Sequence, residues 1–171
     1  SDIITDMSLR WLDRWRQEAR EDEPFFLCCH HKAPHRHWEP GPQEKHLYEG
    51  ETMPEPETLW DDYATRPAAE AARMRIDRDL HAHDVKGVPP QGISGKERKL
   101  WYYDRYIKDY LRCVAGIDRN VGRLLDHLDS RGLTEDTIVV YSSDQGFFLG
   151  DHGWFDKRFI YEESFNMPLL V

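Results

Sequence analysis

One long periodic stretch, followed closely by an aperiodic one, limits the folds open to this 171-residue chain. Tyr103, Ile107, Tyr110, Leu111, Val114, Ile117, Val121, Leu124, Leu125 and Leu128 recur at three- and four-residue spacing. That spacing predicts a long amphipathic helix with one apolar face laid on a sheet. Gly132 predicts its stop. Thr137-Ile138-Val139-Val140-Tyr141 then runs apolar without alternation, as a strand buried on both faces does. Pro24-Phe25-Phe26-Leu27-Cys28-Cys29 reads the same way. Upstream, Ile4, Met7, Trp11, Leu12 and Trp15 predict a helix over 3–19, capped by Thr5 or Asp6 and ended by the Glu-Asp-Glu-Pro stretch at 21–24. Helices alternating with short buried strands through tight joints predict an α/β three-layer architecture.

Residues 38–96 fit that alternation poorly. The part over 38–66 is rich in proline and acid and reads as a long excursion outside the core. Pro67 suits the first residue of a helix reaching about His83, and 84–95, with Pro89-Pro90, reads as a second loop. Pro168-Leu169-Leu170-Val171 reads as the opening of another strand. The length suits one domain, and both ends read as pieces of a larger one.

Charge and composition exclude several classes. A net charge of −9 argues against nucleic acid as a general partner, because phosphate neutralisation needs a basic surface. Local positive groups still allow an anionic small substrate. No run of about 18 apolar residues is present to span a membrane, and no signal peptide is visible. Cys28, Cys29 and Cys113 lack metal-type spacing and read as buried free thiols, with Cys28 and Cys29 on opposite faces of a strand.

Each apolar run empties into a polar cluster, and sites in α/β sheets form beyond the carboxyl ends of strands. After 137–141 come Ser143-Asp144-Gln145-Gly146 and then Asp151, His152, Asp156, Lys157 and Arg158. A carboxylate beside an amide oxygen makes a pair of hard ligands for Ca²⁺ or Mg²⁺, with Gly146 permitting the turn. A plain Asx turn is the alternative. After 24–29 come His30, His31, His35, Arg36 and His37. These invite a zinc reading, but Pro34 forbids a regular helix that would put His31 and His35 on one face. Most of these histidines read as solvated or packing residues, with one of them acting as a proton donor as the functional alternative.

At this point the residues resemble a known family. "PFFLCCHHKAPH", "GIDRNVGRLLDHL", "TIVVYSSDQG", "LGDHGWFDKR" and "YEESFNMPLLV" follow one another as in the type I sulfatases, and most closely the N-acetylglucosamine-6-sulfatase-like polysaccharide sulfatases. The resemblance covers about 1–37 and 97–171. It implies an alkaline-phosphatase-like α/β fold with a mostly parallel central sheet, incomplete here. Residues 1–171 would then be the central part of a catalytic domain, with 38–96 a loop/helix excursion. It implies hydrolysis of sulfate esters on a sulfated carbohydrate, one Ca²⁺, and a formylglycine nucleophile. The Cys-x-Pro-Ser-Arg type motif that yields formylglycine is absent, so the resemblance places the nucleophile segment upstream and makes this chain alone inactive. Carried over residue by residue, Asp144 and Gln145 match calcium ligands. His35 matches the donor to the leaving oxygen, and Lys157 the lysine that binds the sulfate. His152, Arg158 and His37 are weaker candidates for sugar contact, as are Asp151 and Arg36. Asp61, Asp62 and Arg66 are candidates for a subsite in the excursion, with a solvated acidic turn as the alternative. The family suggests an exported, periplasmic or lysosomal location. The competing readings are a phosphodiester or phosphonate hydrolase of the same superfamily and a non-catalytic pseudo-sulfatase.

Overall fold

The computed structural model describes residues 1–20 and 23–171. Its helices are α1 (Asp2–Glu18), α2 (Pro67–Ala71), α3 (Ile76–Asp79), α4 (Gly95–Ser130) and α5 (Glu162–Phe165). Its strands are β1 (Tyr141–Ser142), β2 (Phe148–Leu149), β3 (Phe155–Asp156) and β4 (Leu169–Leu170). The chain divides into two compact units, one of Ser1–His46 with Leu111–Ile138 and one of Leu47–Tyr110 with Val139–Val171.

In the first unit, α1 forms where its periodicity predicts, but Ser1 rather than Thr5 or Asp6 precedes it. Thr5 is fully buried in the first turn. The expected stop at 21–24 lies partly on residues 21 and 22, outside the described residues, and α1 itself ends at Glu18. One turn of α1 after another meets the C-terminal half of α4 through charge. Asp2 accepts from Arg119 and Asn120, Asp6 from Arg123, and Asp13 lies against His127 and Arg131. The steps of the two helices rise together, so the ladder sets a parallel register. Leu12, Leu128 and Leu133 form the apolar seam, with Trp15, Leu124, Phe25 and Leu27 against it.

α4 ends as Gly132 predicts. Gly132 adopts φ +64°, its N–H donates to Asp129 O, and the Leu133 N–H reaches back to Leu128 O. This pair of bonds satisfies the last carbonyls, and Leu133 packs on Leu128. The buried stripe of α4 is rotated from the expected one. Tyr102, Tyr106, Cys113 and Asn120 join Tyr103, Ile107, Ile117 and Leu128 inside, whereas Leu125 is exposed and Tyr110, Leu111, Val114 and Val121 are half-buried.

Neither expected two-sided strand is buried on both faces. Residues 24–29 are extended and alternate, with Phe25, Leu27 and Cys29 half-buried and Phe26 88 % exposed. Phe25 covers Trp15 at 4.8 Å between ring centroids, which accounts for the covered face. Cys28 is exposed, Cys29 half-buried and only Cys113 buried, so the buried-thiol expectation holds for one cysteine of three. Ile138, Val139 and Val140 are likewise exposed. Among the described residues the strands form two antiparallel pairs, β1 with β4 and β2 with β3. A strand buried on both faces needs a neighbour on each edge and a layer over each face, and the described residues supply neither to 24–29 or 137–140.

The second unit corrects the reading of 38–96. Loop-rich as expected, this segment nevertheless supplies core: Leu59, Tyr63, Ala69, Met74, Ile76, Leu80 and Val85 are all buried. Pro67 does open a helix, but α2 stops after Ala71 instead of reaching His83. The reason is tertiary. Arg75 forms a bridge with Trp154, and the Phe155 N–H donates to Met74 O, so 72–75 is drawn out as a partner for the strand at 154–155. Around that join, Tyr63 stacks on Trp154 at 5.6 Å, Phe148 meets Trp154 edge-on at 5.3 Å, and Tyr106 donates to Phe148 O at 2.6 Å.

Candidate functional site

The polar cluster after β1 lies wholly in the second unit. Ser142 Oγ donates to Pro168 O at 2.9 Å and fixes the strand end. Ser143 Oγ donates to Gln145 O at 3.0 Å, which turns the chain so that Asp144 faces solvent. Gly146 follows, but not because it needs a left-handed φ. Its N–H donates to Ser164 O at 3.0 Å, and a Cβ there would collide with the Glu163 carbonyl oxygen. The glycine admits the backbone of 163–166, and thereby seats α5 beside the metal-ligand candidates.

The chain then returns on itself. Gly150 (φ +109°) and Gly153 (φ +65°) flank His152, also left-handed, and the turn they make lets β2 pair with β3. Asp156 is buried at φ +73°, a conformation Asp tolerates better than most residues. The return brings two candidates together: Gln145 Nε2 donates to Lys157 O at 3.1 Å. With its nitrogen so held, Gln145 presents Oε1 as an oriented acceptor. Arg158 pairs with Asp156 at 2.9 Å. That pairing engages the carboxylate next to Lys157 in the chain, and the Lys157 ammonium has no hydrogen-bond or ion-pair partner among the described residues.

A second constellation was visible in the sequence only as separate pieces. His152 Nδ1 lies 2.6 Å from Asp61 Oδ2, and its Nε2 lies 3.6 Å from Glu163 Oε1. The His152 N–H donates to Thr58 Oγ1, and Tyr63 OH donates to His152 O. Asp61 also accepts from Arg66 and from the Tyr63 N–H. Asp61 is therefore no solvated turn residue, whereas its neighbour Asp62 is exposed. Burial opposes ionisation of Asp61, but the bonds from Arg66, His152 and Tyr63 outweigh it and lower its pKa to about 2. A carboxyl depressed on folding stabilises the native state above its unfolded value and loses that contribution as pH falls towards the folded one. Asp61→Asn is accordingly expected to cost about 1–3 kcal/mol at neutral pH, by weakening charge-assisted bonds. Urea unfolding from pH 6 to pH 2 should show a shallower loss of stability in the variant than in the wild type.

His35 sits in the first unit, exposed, in a turn closed by its own N–H on Lys32 O. Its Nδ1 is 2.7 Å from Arg36 O. A carbonyl only accepts, so Nδ1 carries the hydrogen and Nε2 is the nitrogen left to take up and release a proton. His37 is exposed nearby in sequence, and His31 Nε2 lies 3.6 Å from Cys29 Sγ. Burial lowers the pKa of His31 and keeps it neutral. Among the described residues no three of His, Cys, Asp and Glu converge on a common point.

All 171 residues match the Sulfatase family. The chain belongs to the sulfatase family. It is 35% identical over its whole length to an N-acetylglucosamine-6-O-sulfatase of Bacteroides thetaiotaomicron, of which it covers 37%. It is 30% identical over its whole length to PehA of Trinickia caryophylli, a multifunctional alkaline phosphatase superfamily protein, covering 32% of it. The solved structure of BT4656 in complex with its substrate D-glucosamine-2-N,6-O-disulfate superposes with a TM-score of 0.86 at 35% identity, over 99% of this chain and 42% of that one. This sulfatase chain thus has the sulfatase, alkaline-phosphatase-like fold, and it spans well under half the length of these relatives.

Proposed function

We propose that the protein carrying this chain hydrolyses sulfate esters on a sulfated sugar or glycan. The observation that carries the reading is the bond from Gln145 Nε2 to Lys157 O, which joins both ends of the motif. The similarity to a sulfatase solved with a disulfated glucosamine supports a sulfated aminosugar as the substrate class. In the complete domain 24–29 and 137–141 are strands of a mostly parallel central sheet, a role that suits their uncovered apolar faces. An exported, periplasmic or lysosomal location goes with such a substrate, and no described helix is long and apolar enough to cross a membrane.

Asp144 and Gln145 would hold Ca²⁺. The donor set fits in kind: an exposed carboxylate beside an amide whose nitrogen is tied back suits a hard cation, which takes about 6–8 oxygens, the remainder coming from outside this pair. When bound, Ca²⁺ supplies Lewis-acid polarisation of a sulfate oxygen. Lys157 binds the sulfate and offsets charge growing on the leaving oxygen as the S–O bond breaks. His35 delivers its Nε2 proton to that oxygen, so that an alcohol departs. The formylglycine of the family has no precursor among Cys28, Cys29 and Cys113, since none is followed by Pro and Arg at the required spacing. The nucleophile belongs to a part of the protein outside these residues. His152 acts as a strut, holding the Asp61 segment on the turn that leads to Lys157.

The test uses the complete protein. Asp144→Ala should weaken Ca²⁺ binding at least tenfold by calorimetry and abolish sulfate release together, since the charged member of the Asp144–Gln145 pair is lost. Unchanged Ca²⁺ affinity overturns the assignment. The similarity to PehA favours one rival, and faster release of an alcohol from a phosphodiester than from a sulfate ester would make that the primary activity.

A further inference from the structure

Immediately after Lys157, the chain borders a hollow that none of the roles above uses. It has a volume of about 230 Å³ and is lined by Ala68, Ala72, Met74 and Phe159, with Arg73 and Arg158 at its sides. The floor is apolar and firm. Met74 is buried, and Phe159 packs at 5.0 Å against both Trp154 and Tyr161. The rim is cationic. Arg73 is exposed and has no hydrogen-bond or ion-pair partner among the described residues. Arg158 is exposed and ion-paired through one nitrogen with the buried Asp156, so a guanidinium with five N–H donors has donors left for another partner.

In a chain of net charge −9, an unpaired arginine beside an aromatic floor needs a reason. The geometry points to a subsite for an anionic sugar ring, the neighbour of the ring being desulfated. Its apolar face would lie on Phe159, and its sulfate or carboxylate would meet Arg73 and Arg158. The inference rests on the proposed sulfatase reading, because only that places a saccharide at Lys157. Three features fit this occupant together. The volume suits a single pyranose-sized group. A planar guanidinium pairs two-pronged with either anion. The small side chains of α2, Ala68 and Ala72 beside it, let a ring approach the backbone closely.

Steady-state kinetics of the complete enzyme test it with three synthetic disaccharides. Each carries the same O-sulfated glucosamine, joined to a neutral hexose, a sulfated hexose or a hexuronate. In the wild type the two anionic neighbours should lower KM relative to the neutral one, and the two arms tell sulfate from carboxylate. Arg73→Met should cut that preference in kcat/KM about tenfold, as expected for loss of one charge-assisted hydrogen bond at an open site. The change should fall on KM. Arg73→Lys should recover part of it. Arg158→Met should act in the same direction, and Arg73, with no internal partner, keeps the test independent of the turn that Asp156 braces. A preference that survives Arg73→Met unaltered overturns the subsite, and so does a wild type that shows no preference. If the wild type releases sulfate from none of the three, the sulfatase reading fails first. Calorimetry with the doubly sulfated disaccharide then decides the subsite separately: weaker binding to Arg73→Met supports it, and equal or absent binding overturns it.

Discussion

Lys157→Ala in the complete enzyme should lower kcat on sulfate esters by about 10²–10³-fold, the range seen when one preorganised donor to a developing oxyanion is removed. A surface lysine in an ion pair would behave otherwise, since such pairs contribute about 0–1 kcal/mol and their loss touches no rate. Lys157 differs from that case in one respect. The carboxylate beside it, Asp156, is buried and already paired with Arg158, and the lysine carbonyl is bonded to Gln145. Its ammonium is therefore held on a fixed backbone with its charge available. On the proposed role the charge it meets grows in the transition state, so the loss should appear in kcat as well as in kcat/KM. Lys157→Arg should not restore the rate, because a planar fork does not replace a compact ammonium in a tight site. Ca²⁺ affinity and the circular dichroism spectrum should be retained. Near-wild-type kinetics in Lys157→Ala would return the residue to the solvated surface.

His35→Ala should lower kcat on alkyl sulfates by about 10²–10⁴-fold, the range of general acid catalysis. The same substitution at His30 or His37 should cost far less. The orientation argues for this residue: with Nδ1 donating to Arg36 O, the ring is fixed and Nε2 is the nitrogen available for transfer. The deficit should shrink on aryl sulfates, whose phenolate leaves without a proton. Equal losses on the two substrate types would show that His35 is not the acid.

Much of the candidate site could be read in one dimension because each part is local. The apolar run before Asp144 and the Lys157-Arg158 pair lie within a single stretch, so the polar cluster is visible as one, whereas the doubling back through Gly150 and Gly153 belongs to the structure. The Asp61–His152 pair was not legible as a pair. Its members stand 91 positions apart, with no periodic signal connecting them. The role of Gly146 was misassigned for a related reason. A glycine after a strand suggests a turn, and nothing in the adjacent residues announces that the backbone at 163–166 will press on it.

Legible in the residues alone are the elements whose causes lie within a few turns of chain. These are α1, the presence of α4 and its stop at Gly132, and the exit of an apolar run into Asp144 and Gln145. Periodicity, capping and turn preference act over such distances, and they are written in neighbouring residues. Long-range packing is what makes residues of 38–96 part of the core, breaks the helix begun at Pro67 so that 72–75 can pair with Trp154, and leaves uncovered faces on the apolar runs at 24–29 and 137–140. Each of these depends on which distant segment arrives as a neighbour. A backbone amide or an apolar side chain takes whichever partner the fold presents, and its own sequence does not name that partner.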